Sequence, residues 1–147
     1  MADEELRIVI VGCGRLGSHL ANQLSRAGHA VIVVDKEEST FAELSADFGG
    51  FRIEGDATHL AVLKEAMADP AEVFFATTED DNVNLMVAQV ASKAFGVRQV
   101  LARVQDPRLE ETFADLGIET ICPTLVAVEM FFDAVSSSRL SRGGNGR

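Results

Sequence analysis

Two periodicities alternate along the chain. Short runs rich in valine, isoleucine and phenylalanine occupy residues 6–11, 30–34, 51–54, 72–76, 99–104 and 119–122. Between them, apolar residues recur at helical spacing near 15–28, 37–48, 58–67, 80–95 and 107–116, and once more near 124–135. The short runs predict strands and the wider spacing predicts helices. Leu16, Leu20 and Leu24 share one helix face, and Phe41, Leu44 and Phe48 repeat that spacing in the next stretch. Gly28 and Gly117 close helices. Asp106 and Pro107, followed by Glu110 and Glu111, open one with a capping acid, a proline at the first position and carboxylates in the first turn.

A strict alternation of strand and helix implies right-handed βαβ units and a parallel sheet. The first strand is apolar from Ile8 to Val11, as a strand covered on both faces must be. Phe51-Arg52-Ile53-Glu54 alternates instead and suits an edge. The fold class is therefore α/β. It is a Rossmann-like, doubly wound parallel sheet of six strands in the order 3-2-1-4-5-6, where the third strand is an edge.

The last helical stretch, LVAVEMFFDAV, is apolar nearly all round, with Glu129 and Asp133 as its charges. A terminal helix ordinarily keeps one wet face. This one is either sandwiched in the core or docked on a partner subunit, and the size of the apolar surface favours the partner. It is expected to be a crossover or dimerisation helix. Residues 136–147 are small, polar and mildly basic, which predicts a flexible tail or linker stump after a domain spanning 6–135. There are no internal repeats.

The first strand runs into GCGRLG, and a helical pattern follows. The amino end of a helix presents unpaired N–H groups and the positive end of its dipole, and so attracts phosphate. Gly12 and Gly14 serve a tight turn and a close backbone approach, and Gly17 lets helix and strand pack together. Cys13 and Leu16 fill the variable slots. Asp35 ends the second strand at the spacing where an acid accepts hydrogen bonds from ribose hydroxyls, with Lys36 beside it. A carboxylate there repels a 2′-phosphate, which argues against NADP. Arg15 is a cation at the positive end of a helix, a mildly unfavourable place unless a phosphate compensates it.

Ligands of such sheets lie outside the carboxyl ends of the strands, where the strand order reverses. GDAT follows the third strand. Asp56 there could accept from an adenine amino group or cap the next helix, and Ala57 is its neighbour. Thr77 and Thr78 offer hydroxyls after the fourth strand, and Asp80 to Asn82 start a helix. Arg103, at the end of the fifth strand, points toward the cleft and a phosphate or a neighbouring subunit. His19, His29 and His59 form no evident dyad with an acid or cysteine.

Composition narrows the function. The 147 residues, 47% of them hydrophobic, make one domain with a real core. Thirteen basic against 23 acidic residues give a net charge of −10, which disfavours nucleic-acid binding. The two cysteines, Cys13 and Cys122, have no CxxC partner and no His/Cys cluster, so neither a zinc site nor a disulfide framework is expected. No signal peptide or apolar run of membrane-spanning length stands out, and a cytoplasmic protein is expected.

Together, GCGRLG, VVDKEES, GDAT, TTEDDNVNLM and ARVQDPRLEETFADLGIETICPT resemble the RCK domain, also called the KTN or TrkA N-terminal domain, over about residues 6–135. The specific signals are GDAT, a T-x-x-D-x-x-N-L segment and the Asp-Pro helix after the fifth strand. The resemblance implies a cytosolic regulator of a membrane-embedded potassium transporter or channel, peripheral to the inner face of the membrane. It implies NAD(H) or ATP/ADP in the cleft, homodimers and in several systems octameric rings. It also implies a last helix that crosses to the partner and a glycine-loop arginine, here Arg15, near a terminal phosphate. Two departures stand out. The second, smaller RCK C-terminal domain is not present in the chain. The acid that in ATP-responsive members follows the proline before the last helix, supporting a divalent cation, is Thr124 here, after Pro123.

Three functions compete at this stage. A nucleotide-sensing gating subunit is favoured. An NAD-dependent oxidoreductase would need a substrate domain and an acid–base residue, and neither is in view. A stand-alone nucleotide-binding scaffold is the third, and fold alone does not separate it from the first.

Overall fold

The computed structural model describes residues 4–143, and side chains from residue 4 to residue 137. Strands β1 (Arg7–Val11), β2 (Ala30–Asp35), β3 (Phe51–Glu54), β4 (Val73–Ala76), β5 (Gln99–Arg103) and β6 (Glu119–Ile121) alternate with helices α1 (Arg15–Arg26), α2 (Leu60–Ala66), α3 (Asp81–Lys93), α4 (Glu110–Asp115) and α5 (Pro123–Gly143). The strands form one parallel sheet in the order β3-β2-β1-β4-β5-β6, as the pattern predicts. Val11 stands level with Val34 on one side and Ala76 on the other, so the carboxyl ends of the three central strands open at one height.

Both faces of the sheet are covered, and the strand period of two divides the core. Val9, Val11, Val34 and Phe74 face Leu63, Val87, Ala88, Ala91 and Phe113 of α2, α3 and α4. Ile8, Ile10, Val31 and Val33 face Ala21, Leu20 and Leu24 of α1, with Leu44 and Phe48 from the following connection. Each fully buried aliphatic side chain contributes about 1.5–3 kcal/mol. Phe51 is exposed on the edge strand, as the alternating sequence implies.

Residues 37–48 do not form the expected helix. A short 3-10 segment covers Glu38–Glu43, and the chain is irregular from Leu44. Side chains take the backbone groups that a helix would have used. Asn22 Oδ1 accepts from the Ser45 amide at 2.9 Å, Ser25 Oγ accepts from the Gly49 amide at 3.0 Å, and Asp47 pairs with Arg26 at 3.2 Å. The spacing of Phe41, Leu44 and Phe48 thus records packing against α1, not a helix. The helix predicted over 107–116 is split into a 3-10 turn, Pro107–Leu109, and α4, with Asp106 accepting from the Arg108 amide as its cap.

The last helix is longer than expected. α5 continues past residue 135 to Gly143, so most of the predicted tail is helical; residues 144–147 lie outside the described residues. Nothing between Ser136 and Arg142 breaks a helix, and the first glycine after α5 begins is Gly143. α5 is not sandwiched in the core: Met130, Phe131 and Phe132 are 68%, 77% and 70% exposed. Among the described residues no helix is long and apolar enough to cross a membrane.

Candidate functional site

A cleft of about 850 Å³ opens where the strand order reverses, between β1 and β4. Its floor is the glycine turn. Gly12 has φ +106°, and a Cβ there would stand 2.8 Å from the Thr77 carbonyl carbon and the Thr78 amide nitrogen. A Cβ on Gly17 would overlap the Gly12 carbonyl oxygen. Gly14, by contrast, has open space where a Cβ would stand, and it lines the cleft. The first two constraints are internal to the fold, and the third leaves room for an approaching ligand.

The turn ends at the amino terminus of α1. Gly14 is the capping residue and supplies no side chain, and the first helical bond runs from the Ser18 amide to the Gly14 carbonyl. The amides of the first turn therefore keep their donor capacity beside the cleft, and no acid occupies that turn. Arg15 and Leu16 line the opening there.

Asp35 ends β2 and braces the same turn. Its Oδ2 accepts from the Cys13 amide and its Oδ1 from the Glu37 amide, both at 2.8 Å. Each carboxylate oxygen has a second lone pair, so the group remains an acceptor toward the cleft. Lys36 is exposed at the rim. Asp56 Oδ1 accepts from the Thr58 hydroxyl at 2.6 Å and amide at 2.9 Å, and these donors hold its carboxyl below the usual carboxylate range. Asp56 thus caps the turn before α2 while lining the cleft, and Ala57 is buried next to it.

Thr77 and Thr78 line the cleft, but their hydroxyls are engaged. The buried Thr77 hydroxyl bonds the Gly12 carbonyl at 3.0 Å and the Val11 carbonyl at 3.1 Å, which ties β4 to the glycine turn. The Thr78 hydroxyl donates to Asn84 Oδ1 at 2.7 Å. Arg103, at the end of β5, lines the far wall, and its buried Nε has no hydrogen-bond partner among the described residues. Cys13 and Gly17 lie beneath the cleft and do not line it. The Cys13 thiol is buried, and burial, helped by the Asp35 charge, pushes its pKa up to about 11.

Two side chains join the β4 and β5 walls, the aspartate and the asparagine of the T-x-x-D-x-x-N-L segment, Asp81 and Asn84. Asn84 is fully buried on α3. Its Oδ1 accepts from the Thr78 amide at 3.0 Å, and its Nδ2 donates to the carbonyls of Thr78 and Arg103, both at 3.0 Å. Asp81, one turn earlier, accepts from the Gln105 amide at 2.8 Å and the Asp106 amide at 3.1 Å. The segment marks both residues by type and spacing, and the structure adds that its asparagine is buried and therefore must be satisfied. Glu79, Asp80 and Pro123, the first residue of α5, also reach the cleft.

Residues 8–123 match the family described as the TrkA-N domain. A Trk system potassium uptake protein TrkA from Streptomyces coelicolor is 43% identical over 116 residues, covering 79% of this chain and 52% of that protein. This chain therefore spans about half the length of that relative. A solved GsuK channel bound to NAD superposes with a TM-score of 0.78 at 23% identity, over 95% of this chain and 25% of that one. The AMP-bound Kef C-terminal domain of Shewanella denitrificans superposes with a TM-score of 0.75 at 23% identity, over 95% of this chain and 89% of that one. At these identities the structural likeness speaks for the fold. The sheet order, the glycine turn and the residues matched agree, and the chain belongs to the TrkA-N domain family.

Proposed function

We propose that the cleft binds an adenine nucleotide lacking a 2′-phosphate, NAD(H) or ATP/ADP, and that this domain is the sensing part of a regulator for a membrane-embedded potassium transporter or channel. The observation that carries the reading is the pairing of Asp35 with the uncapped amino end of α1 across one glycine turn. An acceptor for ribose hydroxyls and donors for phosphate stand together at the reversal point of the sheet.

The residues divide the work. The first-turn amides and Arg15 hold phosphate, Asp35 holds the ribose, and Asp56 faces the adenine side. Arg103, on the far wall, meets an anionic group there. The solved relatives that hold NAD and AMP support a nucleotide here, and the potassium-uptake relative supports the transport role. We read the domain as a binding module and not an enzyme, because the cleft-side hydroxyls are committed to the fold. The exposed apolar face of α5 is read as a homodimer surface, and the protein as cytoplasmic and peripheral to the membrane through its partner.

Titration calorimetry with NADH, NAD, ATP, ADP and NADP tests the reading. At least one of the first four is expected to bind, with NADP at least about tenfold weaker, as a carboxylate facing a 2′-phosphate requires. Binding must be lost in Asp35→Ala. If none of them binds, the glycine turn is architecture only.

A further inference from the structure

The cleft has two halves. The β1–β2–β3 half is built by the glycine turn, Asp35 and Asp56. The β4–β5 half is built by Thr78 and Arg103. The two halves are held differently. On the first, the acid that faces the cleft also braces the turn. On the second, Arg103 lines the cleft and its buried Nε has no hydrogen-bond partner among the described residues. What fixes Arg103 is its backbone.

That backbone is pinned from α3. Asn84 Nδ2 holds the Arg103 carbonyl at 3.0 Å, and the same side chain holds both the amide and the carbonyl of Thr78. Immediately beyond, Asp81 holds the amides of Gln105 and Asp106. Asp81 and Asn84 are three residues apart and so share one face of the helix. Asn84 is fully buried, so leaving its amide unpaired is costly. Neither residue borders the cleft.

The geometry points to Asn84, assisted by Asp81, as the positioning residue that aims Arg103, and thereby as the determinant of preference for nucleotides whose phosphates or second half reach β5. This rests on the nucleotide reading of the cleft. A monophosphate such as AMP can be satisfied in the first half alone. NAD or ADP extends its charge toward Arg103. Asn84 then acts on selectivity without touching the ligand.

Two measurements test this. In the ligand-free protein, the Arg103 Nε–H, followed by nitrogen-15 NMR, should exchange slowly with solvent, and at least about tenfold faster in Asn84→Ala. Unchanged exchange would overturn the proposal and needs no nucleotide to read. In calorimetry, Arg103→Ala should lower the NAD-over-AMP affinity ratio by about tenfold or more, the scale of one charge-assisted contact. Asn84→Ala should lower the same ratio, and the double variant should be no worse than Arg103→Ala alone. Equal losses for AMP and NAD, or a multiplicative double variant, would mean a merely structural asparagine and overturn the proposal. If Asn84→Ala does not fold, Asp81→Ala replaces it in both measurements with the same expected direction. Failure of the unmodified protein to bind either nucleotide would overturn the reading of the cleft and the selectivity with it, while the exchange measurement still decides the positioning.

Discussion

The Cys13 amide donates to the Asp35 carboxylate at 2.8 Å, joining the glycine turn to the end of the neighbouring strand. The acid read as a ribose acceptor is therefore also a structural brace. Asp35→Ala should cost stability as well as binding, about 1–3 kcal/mol, chiefly for the part-buried Cys13 amide left without its acceptor. Asp35→Asn keeps one acceptor oxygen and should lose less stability while still weakening the nucleotide. Urea melts beside calorimetry separate the two effects; equal stability loss in both variants would contradict the brace.

Gly17 is the tightest point of the turn. Gly17→Ala would drive a methyl into the Gly12 carbonyl and against the Thr77 hydroxyl, and should destabilise by about 1–3 kcal/mol, as overpacking does. Thr77→Val removes the hydroxyl donor from two carbonyls and should cost about 1–3 kcal/mol. The same urea midpoints read both. Gly14→Ala, with open space at the Cβ, should leave the midpoint within about 0.5 kcal/mol and act on ligand affinity instead.

The Cys13 thiol, raised to about 11, stays protonated at neutral pH and should resist alkylation there in the folded domain. Its ordinary value is 9.0, so the sign of its effect on stability follows. From pH 9 upward the unfolded chain gives up this proton first, and the contribution present below pH 9 is lost as pH rises through about 11. Cys13→Ser should flatten that part of the stability profile. Rapid modification at pH 7 would show that the thiol is not sequestered.

Phe131 and Phe132 stand in solvent on the isolated chain, so replacing them by aspartate removes no core packing. If α5 pairs two copies, Phe131→Asp with Phe132→Asp should shift the sedimentation mass from that of a dimer to the 15.8 kDa monomer while the far-ultraviolet spectrum is kept. A mass unaffected by the double substitution would move the homodimer surface elsewhere.

Strand order and the place of the cleft were legible because each rests on local signals. Period-two burial, glycine at the turn and an acid at the end of β2 are each written within a few residues of the chain, at fixed places relative to a strand end. The 37–48 segment was misread because Phe41, Leu44 and Phe48 report only which side chains are buried. Whether the backbone coils depends on partners such as Asn22 and Ser25, more than twenty residues earlier in the chain. Asn84 stood in the T-x-x-D-x-x-N-L segment, but its role was not legible, for a related reason. Its bonds reach the loop after β4 at Thr78 and the end of β5 at Arg103, nineteen residues further along the chain. The tail was underestimated because serine and arginine permit a helix without advertising one.

Pro123 is both a wall of the cleft and the first residue of α5. A helix of 21 residues anchored at that point acts as a lever arm. At 1.5 Å per residue its far end lies roughly 30 Å from the fulcrum, so a tilt of about 5° at the base would sweep the tip through roughly 2–3 Å. A displacement of a few tenths of an ångström at the cleft wall is thereby magnified severalfold along the helix that carries the exposed Met130, Phe131 and Phe132, where a subunit contact would sense it as a change of angle.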